Sequence, residues 1–216
     1  VFVTGTDTGV GKTLVAVAIL RALADSGKRV VGMKPVSAGL AADGSANPDV
    51  AALLAAGNVL APLPDRNPYA FLPAIAPHLA AAEAGATIDL AVIAAAYARL
   101  AAEADIVVVE GAGGALVPID ATHDMLDIAA HLRLPVLLVV GMRLGCLNHA
   151  LLSAAAIRAR GLGFAGWVAN CIDPRMRALA ANVEALSQRL QAPRIASMEW
   201  DAPLILPTVV LDKLFA

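Results

Sequence analysis

The chain has 216 residues, 59% of them hydrophobic and 16% charged, which excludes a disordered segment and leaves enough length to bury a core without disulfide staples. Sixteen basic and eighteen acidic side chains give a formal net charge of −2 with no Lys/Arg run, so no nucleic-acid surface is indicated. The longest uncharged stretch, residues 67–82, is interrupted by Pro68, Pro73 and Pro77 and falls short of the roughly 20 apolar residues of a membrane-crossing helix, so no membrane segment is expected.

Cys146 and Cys171 stand far apart with no CxxC pair, which argues against metal ribbons and disulfide frameworks and for a reducing cytoplasm. The sequence begins at Val1 rather than Met, so a few leading residues are expected to be missing. No basic-apolar-small leader is expected before the first strand.

In chain order, Val1 to Thr4 predicts a short strand running into a Gly-rich loop, Gly5 to Gly11. Lys12 to Asp25 has helical spacing and stops at Ser26-Gly27, and Arg29 to Met33 is a second strand. Ala38 to Pro48, rich in Gly, Ala, Asp, Asn and Pro, reads as a mobile loop, and Asp49 to Ala56 as a short helix closed by Gly57. Pro62 to Pro77 reads as irregular cover. Asp89 to Ala104 predicts a long helix capped by Thr87 or Asp89. Ile106 to Val109 is a continuous apolar strand of the kind buried on both faces, ending in Glu110 and a second Gly-rich turn, Gly111 to Gly114. Strands at Val136–Val140, Phe164–Ala169 and Arg194–Ala196 alternate with helices at Cys146–Ala159 and Arg175–Gln191. The alternation implies an α/β fold: a mainly parallel sheet flanked by helices, a three-layer sandwich in one domain over residues 1–216.

The sharpest local signal is Gly5-Thr6-Asp7-Thr8-Gly9-Val10-Gly11-Lys12-Thr13, fed by a strand and left by a helix, the context of a phosphate-binding loop and of a P-loop NTPase-like fold. Backbone N–H groups around Gly9, Val10 and Gly11 can turn inward on an anion, and the helix N-terminus adds about 0.5 of a positive charge. Lys12 can then reach the β- and γ-phosphates and the Thr13 hydroxyl can hold Mg²⁺. The strict pattern would place its first glycine at position 6, where Thr6 stands. Glu110, at the carboxyl end of its strand, is positioned to face the same metal. Asp49 reads locally as a helix cap or a third metal-side oxygen. His78, His123, His131 and His149 show no metal spacing and read as structural or surface residues. Trp167 reads as core.

Thr4 to Thr8, Gly11-Lys12-Thr13, Lys34-Pro35-Val36, Asp49, Glu110 to Gly114, Leu144 to His149 and Gly166 to Asn170 occur in the order seen in dethiobiotin synthetases, and together the chain resembles that family over nearly its whole length. The resemblance implies the conversion of 7,8-diaminononanoate, CO₂ and ATP to dethiobiotin, ADP and phosphate, through a carbamate and its mixed anhydride with phosphate. It implies Lys12 at the γ-phosphate, Lys34 at the carbamate and the transferring phosphoryl group, and Thr8 near the substrate. Thr13, Asp49 and Glu110 match its Mg²⁺-side positions. Gly111, Ala112 and Gly113 fall on the nucleotide side, Asn170 and Cys171 where adenine is read, and Glu199, Trp200 and Asp201 where the nucleotide is touched again. Gly145, Cys146, Leu147 and Asn148 match a helix start that holds the substrate carboxylate from the neighbouring subunit, which implies a homodimer.

This sequence departs from the pattern in three places. Ala38 stands where the family often has serine, with Ser37 one place earlier. Gly9 replaces an acidic residue of some members, and Cys171 replaces a polar one. A nucleotide-switch ATPase of the deviant Walker type is the alternative, but its signature lysine would stand where Asp7 does. Cobyrinate-type ligases carry a glutamine-hydrolysing domain for which 216 residues leave no room.

Overall fold

The computed structural model describes residues 1–40, 47–202, 204, 206, 214 and 215; most of the loop expected at 38–48, namely 41–46, lies outside them. In chain order the elements are β1 (Phe2–Gly5), α1 (Lys12–Asp25), β2 (Val30–Met33), β3 (Val36–Ala38), α2 (Pro48–Ala56), α3 (Leu63–Arg66), β4 (Tyr69–Phe71) and α4 (Pro77–Glu83). There follow α5 (Leu90–Glu103), β5 (Ile106–Glu110), α6 (Met125–His131), β6 (Val136–Met142), α7 (Cys146–Ala159), β7 (Phe164–Cys171), α8 (Leu179–Arg189) and β8 (Arg194–Met198).

Six strands form one parallel sheet in the order β2-β5-β1-β6-β7-β8. Because side chains alternate across a strand, the valine-rich runs feed two cores. Val3, Val108, Leu137, Val139 and Val168 pack with Val15, Ile19 and Leu20 of α1 and Leu53 of α2 on one face. Phe2, Val107, Val109, Leu138, Val140 and Trp167 pack with α5, α6, α7 and α8 on the other. The chemistry of the alanines appears here: Ala96, Ala129, Ala150 and Ala154 are buried at these contacts and let the helices lie close to the sheet. The result is the expected three layers.

The expected boundaries hold where glycine punctuates the chain and fail where bonding partners are distant. The Pro-rich stretch is ordered into α3 and β4, and β4 pairs in parallel with β3 as a second, two-stranded sheet. α4 and α6 carry no strong sequence signal; α6 is fixed by a capping box between Asp124 and Asp127. α8 begins at Leu179 rather than Arg175, since the Arg175 N–H donates to the Asp173 carboxylate and the chain turns before the helix starts. β6 and β7 run two residues further than expected because Gly141 pairs with Asn170 and Met142 with Cys171. That extension delivers Asn170 to the carboxyl edge of the sheet, two strands from the end of β1. Ligands of open α/β sheets bind at this edge.

Candidate active site

The loop after β1 is anchored at both ends. The Thr6 N–H donates to Val139 O at 3.0 Å, and the Gly141 N–H donates to Thr6 Oγ1 at 3.3 Å. α1 has no side-chain cap and no acid in its first turn, so the N–H groups at its start and their partial positive charge stay available to an anion. Lys12 Nζ folds back to donate to Asp7 O at 3.0 Å. Gly11 is required: its φ is +91°, and a Cβ there would run into the Asn170 side-chain nitrogen, which donates to Val10 O at 2.8 Å.

Lys34, just past the end of β2, carries the second ammonium. Its Nζ donates to Asp49 Oδ2 at 2.9 Å and to Glu110 Oε1 at 2.5 Å, while the Thr13 hydroxyl donates to the same Glu110 oxygen at 2.8 Å. Asp49 is not the cap of α2. Asn47 is, accepting from the Asp49 N–H at 3.0 Å, and this frees the Asp49 carboxylate to meet Lys34. Burial alone would depress the Lys34 pKa, but Glu110 and Asp49 outweigh it and the net shift is upward. Burial likewise opposes ionisation of Asp49, yet Lys34 and Thr13 hold its pKa below the ordinary value. Lys12 has no such carboxylate contact: burial first and the Lys34 charge second push it down from 10.5 to about 8.

Glu110 is fully buried, and its Oε2 has no hydrogen-bond partner among the described residues. An orphaned carboxylate oxygen beside the Thr13 hydroxyl and the Asp49 carboxylate is an all-oxygen donor set, which fits Mg²⁺ completed by waters and phosphate oxygens.

Thr8, Gly9, Gly11, Lys12, Thr13, Lys34, Ser37, Asp49, Glu110, Ala112 and Gly113 line one cavity of about 810 Å³. Asn170, Cys171, Glu199, Trp200 and Asp201 line a second, of about 400 Å³, which shares Gly9, Gly11 and Leu14 with the first. The two adjoin across the loop. Gly111 lies behind the cleft, its N–H on Val3 O and placed so that a Cβ there would press on the Phe2 ring, and Val10 is buried beneath the loop. Gly145, Cys146, Leu147 and Asn148 start α7 and line neither cavity; Gly145 is left-handed with φ 95°, and no side chain caps the helix. Burial pushes the Cys146 thiol pKa up, so the helix start does not activate it. Sequence reasoning missed Asn67, which bonds the backbone of Lys34 and the hydroxyl of Ser37; the only local hint was an Asn-Pro pair.

The family model described as an AAA domain matches residues 1–208. The chain is 55% identical to the ATP-dependent dethiobiotin synthetase BioD of Nitrosospira multiformis, over 93% of this chain and 88% of that protein. To the protein of the same name from Xylella fastidiosa it is 46% identical, over 99% and 95%. Among solved structures, the MinD cell division protein of Aquifex aeolicus superposes with a TM-score of 0.59 at 17% identity, covering 99% of this chain and 94% of that one, a likeness of fold.

Proposed function

The chain belongs to the family of ATP-dependent dethiobiotin synthetases, and on that premise we propose that it converts 7,8-diaminononanoate, CO₂ and ATP to dethiobiotin, ADP and phosphate. The observation that carries this reading is the meeting of Lys12, Lys34, Thr13, Asp49 and Glu110 in one cleft beside a helix N-terminus. The chemistry demands such a meeting. One substrate amine adds to CO₂ and loses a proton to give a carbamate; a carbamate oxygen then displaces ADP from the γ-phosphorus. The second amine attacks the carbamoyl carbon and phosphate leaves as the urea ring closes. An anion must therefore approach an anion, and two ammonium groups with a run of N–H donors lower that barrier where the charge develops.

In this reading the Lys12 ammonium leaves Asp7 O for the γ-phosphate. Lys34 faces the carbamate and the transferring group, with Thr8 and Ser37 on the substrate side. Thr13, Asp49 and Glu110 would hold Mg²⁺, which when bound would neutralise phosphate charge. Gly9, Val10, Gly11, Gly111, Ala112 and Gly113 form the phosphate-side backbone. Asn170, Cys171, Glu199, Trp200 and Asp201 take the base side, where the Asn170 amide, with one of its two N–H groups given to Val10 O, offers its oxygen to a donor on the base.

Gly145 to Asn148 would serve the cleft of a second subunit in a homodimer, a role supported by their lining neither of these two cavities of their own chain and by the exposed Leu116, Leu144 and Leu152. Two buried cysteines without a disulfide fit a cytoplasmic, single-domain enzyme. The test is to supply the diamine, bicarbonate and MgATP. Dethiobiotin should appear by mass spectrometry, and phosphate release should require the diamine. ATP turnover indifferent to the diamine would replace this reading with the nucleotide-switch one.

A further inference from the structure

β2 ends at Met33, so Lys34 has no sheet partner of its own, yet both of its backbone groups are held. Its N–H donates to Arg66 O at 2.8 Å, and its C=O accepts from Asn67 Nδ2 at 2.7 Å. Asn67 Nδ2 also donates to Tyr69 O at 3.1 Å, and Asn67 Oδ1 accepts from the Ser37 hydroxyl at 2.9 Å. Arg66 in turn donates to Gly32 O and Leu53 O, locking the segment to β2 and α2. All of these side chains are buried.

The amide orientation is dictated by its neighbours. Two carbonyls can only accept, so the NH₂ must face Lys34 O and Tyr69 O, and the oxygen must face Ser37. The hydroxyl has one proton, and Asn67 takes it. Among the described residues nothing donates to the Ser37 hydroxyl, and Ser37 lines the main cavity. A ligand that reaches this hydroxyl therefore meets lone pairs only.

We propose that Asn67 is a positioning residue for the reaction proposed above: it holds the Lys34 backbone where the ammonium can serve the transfer, and it sets Ser37 as an acceptor for a donor group of the substrate, an amine. The inference rests on the synthetase reading, and on geometry that can be probed without it.

Asn67→Ala should lower kcat for dethiobiotin formation about 10–100-fold, since small misplacements of a catalytic group can cost this much. The Kd for MgATP should stay within about threefold, because Asn67 makes no bond to the phosphate loop. Placed on Lys34→Ala, the same change should cost less than about threefold more, as expected of a residue acting through Lys34. Ser37→Ala, which leaves Asn67 in place and serves if Asn67→Ala does not fold, should raise KM for the diamine and leave the MgATP Kd unmoved. Unchanged kcat in Asn67→Ala, additive losses with Lys34→Ala, or an unmoved diamine KM in Ser37→Ala would overturn the proposal. Should the wild type form no dethiobiotin, the synthetase reading fails by itself. Amide exchange at Lys34 in the nucleotide-free protein still decides the positioning, which requires protection in the wild type and its loss in Asn67→Ala.

Discussion

Lys34 and Glu110 form a buried ion pair at 2.5 Å, the lysine side chain 4% exposed and the glutamate 0%. The pair joins the ends of β2 and β5, two neighbouring strands, and shares its acceptor oxygen with the Thr13 hydroxyl of α1. Burying two charges is offset only when partners are complete, and removing one partner from such a pair commonly costs about 3–5 kcal/mol. The arrangement thus ties the Lys34 ammonium to the fold itself.

Lys34→Ala should bind MgATP through the intact loop but form dethiobiotin about 10²–10³-fold more slowly, the loss usual when one group facing developing charge is removed. Calorimetry gives the first quantity and product formation the second. Near-normal turnover would remove Lys34 from the chemistry.

Removing the Lys34 ammonium leaves the Thr13, Asp49 and Glu110 oxygens without their resident cation. Lys34→Met should therefore take up Mn²⁺, in the absence of nucleotide, at least about tenfold more tightly than the wild type, a difference of roughly 1.4 kcal/mol. Paramagnetic resonance of free Mn²⁺ measures it. Equal affinities would show that these oxygens are not where the metal binds.

Lys12 gives a pH signature of two opposite signs. Its pKa in the folded protein is lowered to about 8 from 10.5, chiefly by burial. Between those values the native state holds fewer protons than the unfolded chain, so Lys12 makes the nucleotide-free protein more stable as pH rises through that window. Phosphate, in contrast, favours the protonated amine, so affinity for an ATP analogue should fall as pH rises above 8. Both trends should vanish in Lys12→Met, in melts and titrations run side by side. A wild type whose affinity is flat from pH 7 to 9.5 would place the Lys12 amine elsewhere than on the phosphates.

Much of this site is legible in the sequence because the information is local. Gly11 and Gly145 adopt left-handed φ at the starts of α1 and α7, and Glu110 ends an uninterrupted apolar strand, so those boundaries are written in neighbouring residues. Asp49 is different. Its short-range pattern suits a cap, and only Lys34, fifteen positions away, decides its direction. Asn67 is further from view: its bonds to Lys34 and Ser37 span 33 and 30 positions, inside a proline-rich stretch whose three-residue strand pairs, among the described residues, with β3 alone. Helical spacing predicts that a helix starts at Cys146, but carries nothing about which cleft that start faces.

Gly11→Ala separates backbone strain from steric conflict. Gly11 and Gly9 both have positive φ, +91° and +72°, but a Cβ on Gly9 meets nothing within 4 Å, whereas one on Gly11 meets the Asn170 amide. Gly9→Ala should lose only the strain of a left-handed residue, about 1–3 kcal/mol. Gly11→Ala should lose more, because Asn170 must give up its 2.8 Å bond to Val10 O, and ADP affinity should fall with it. Adding Asn170→Ala to Gly11→Ala removes the obstructing group, so the double variant should be more stable than the summed single losses predict, by about 0.5–3 kcal/mol. Denaturant melts of the four proteins close this cycle. Strict additivity would mean that Asn170 does not rest on the loop, and would detach the base-side cavity from the phosphate side.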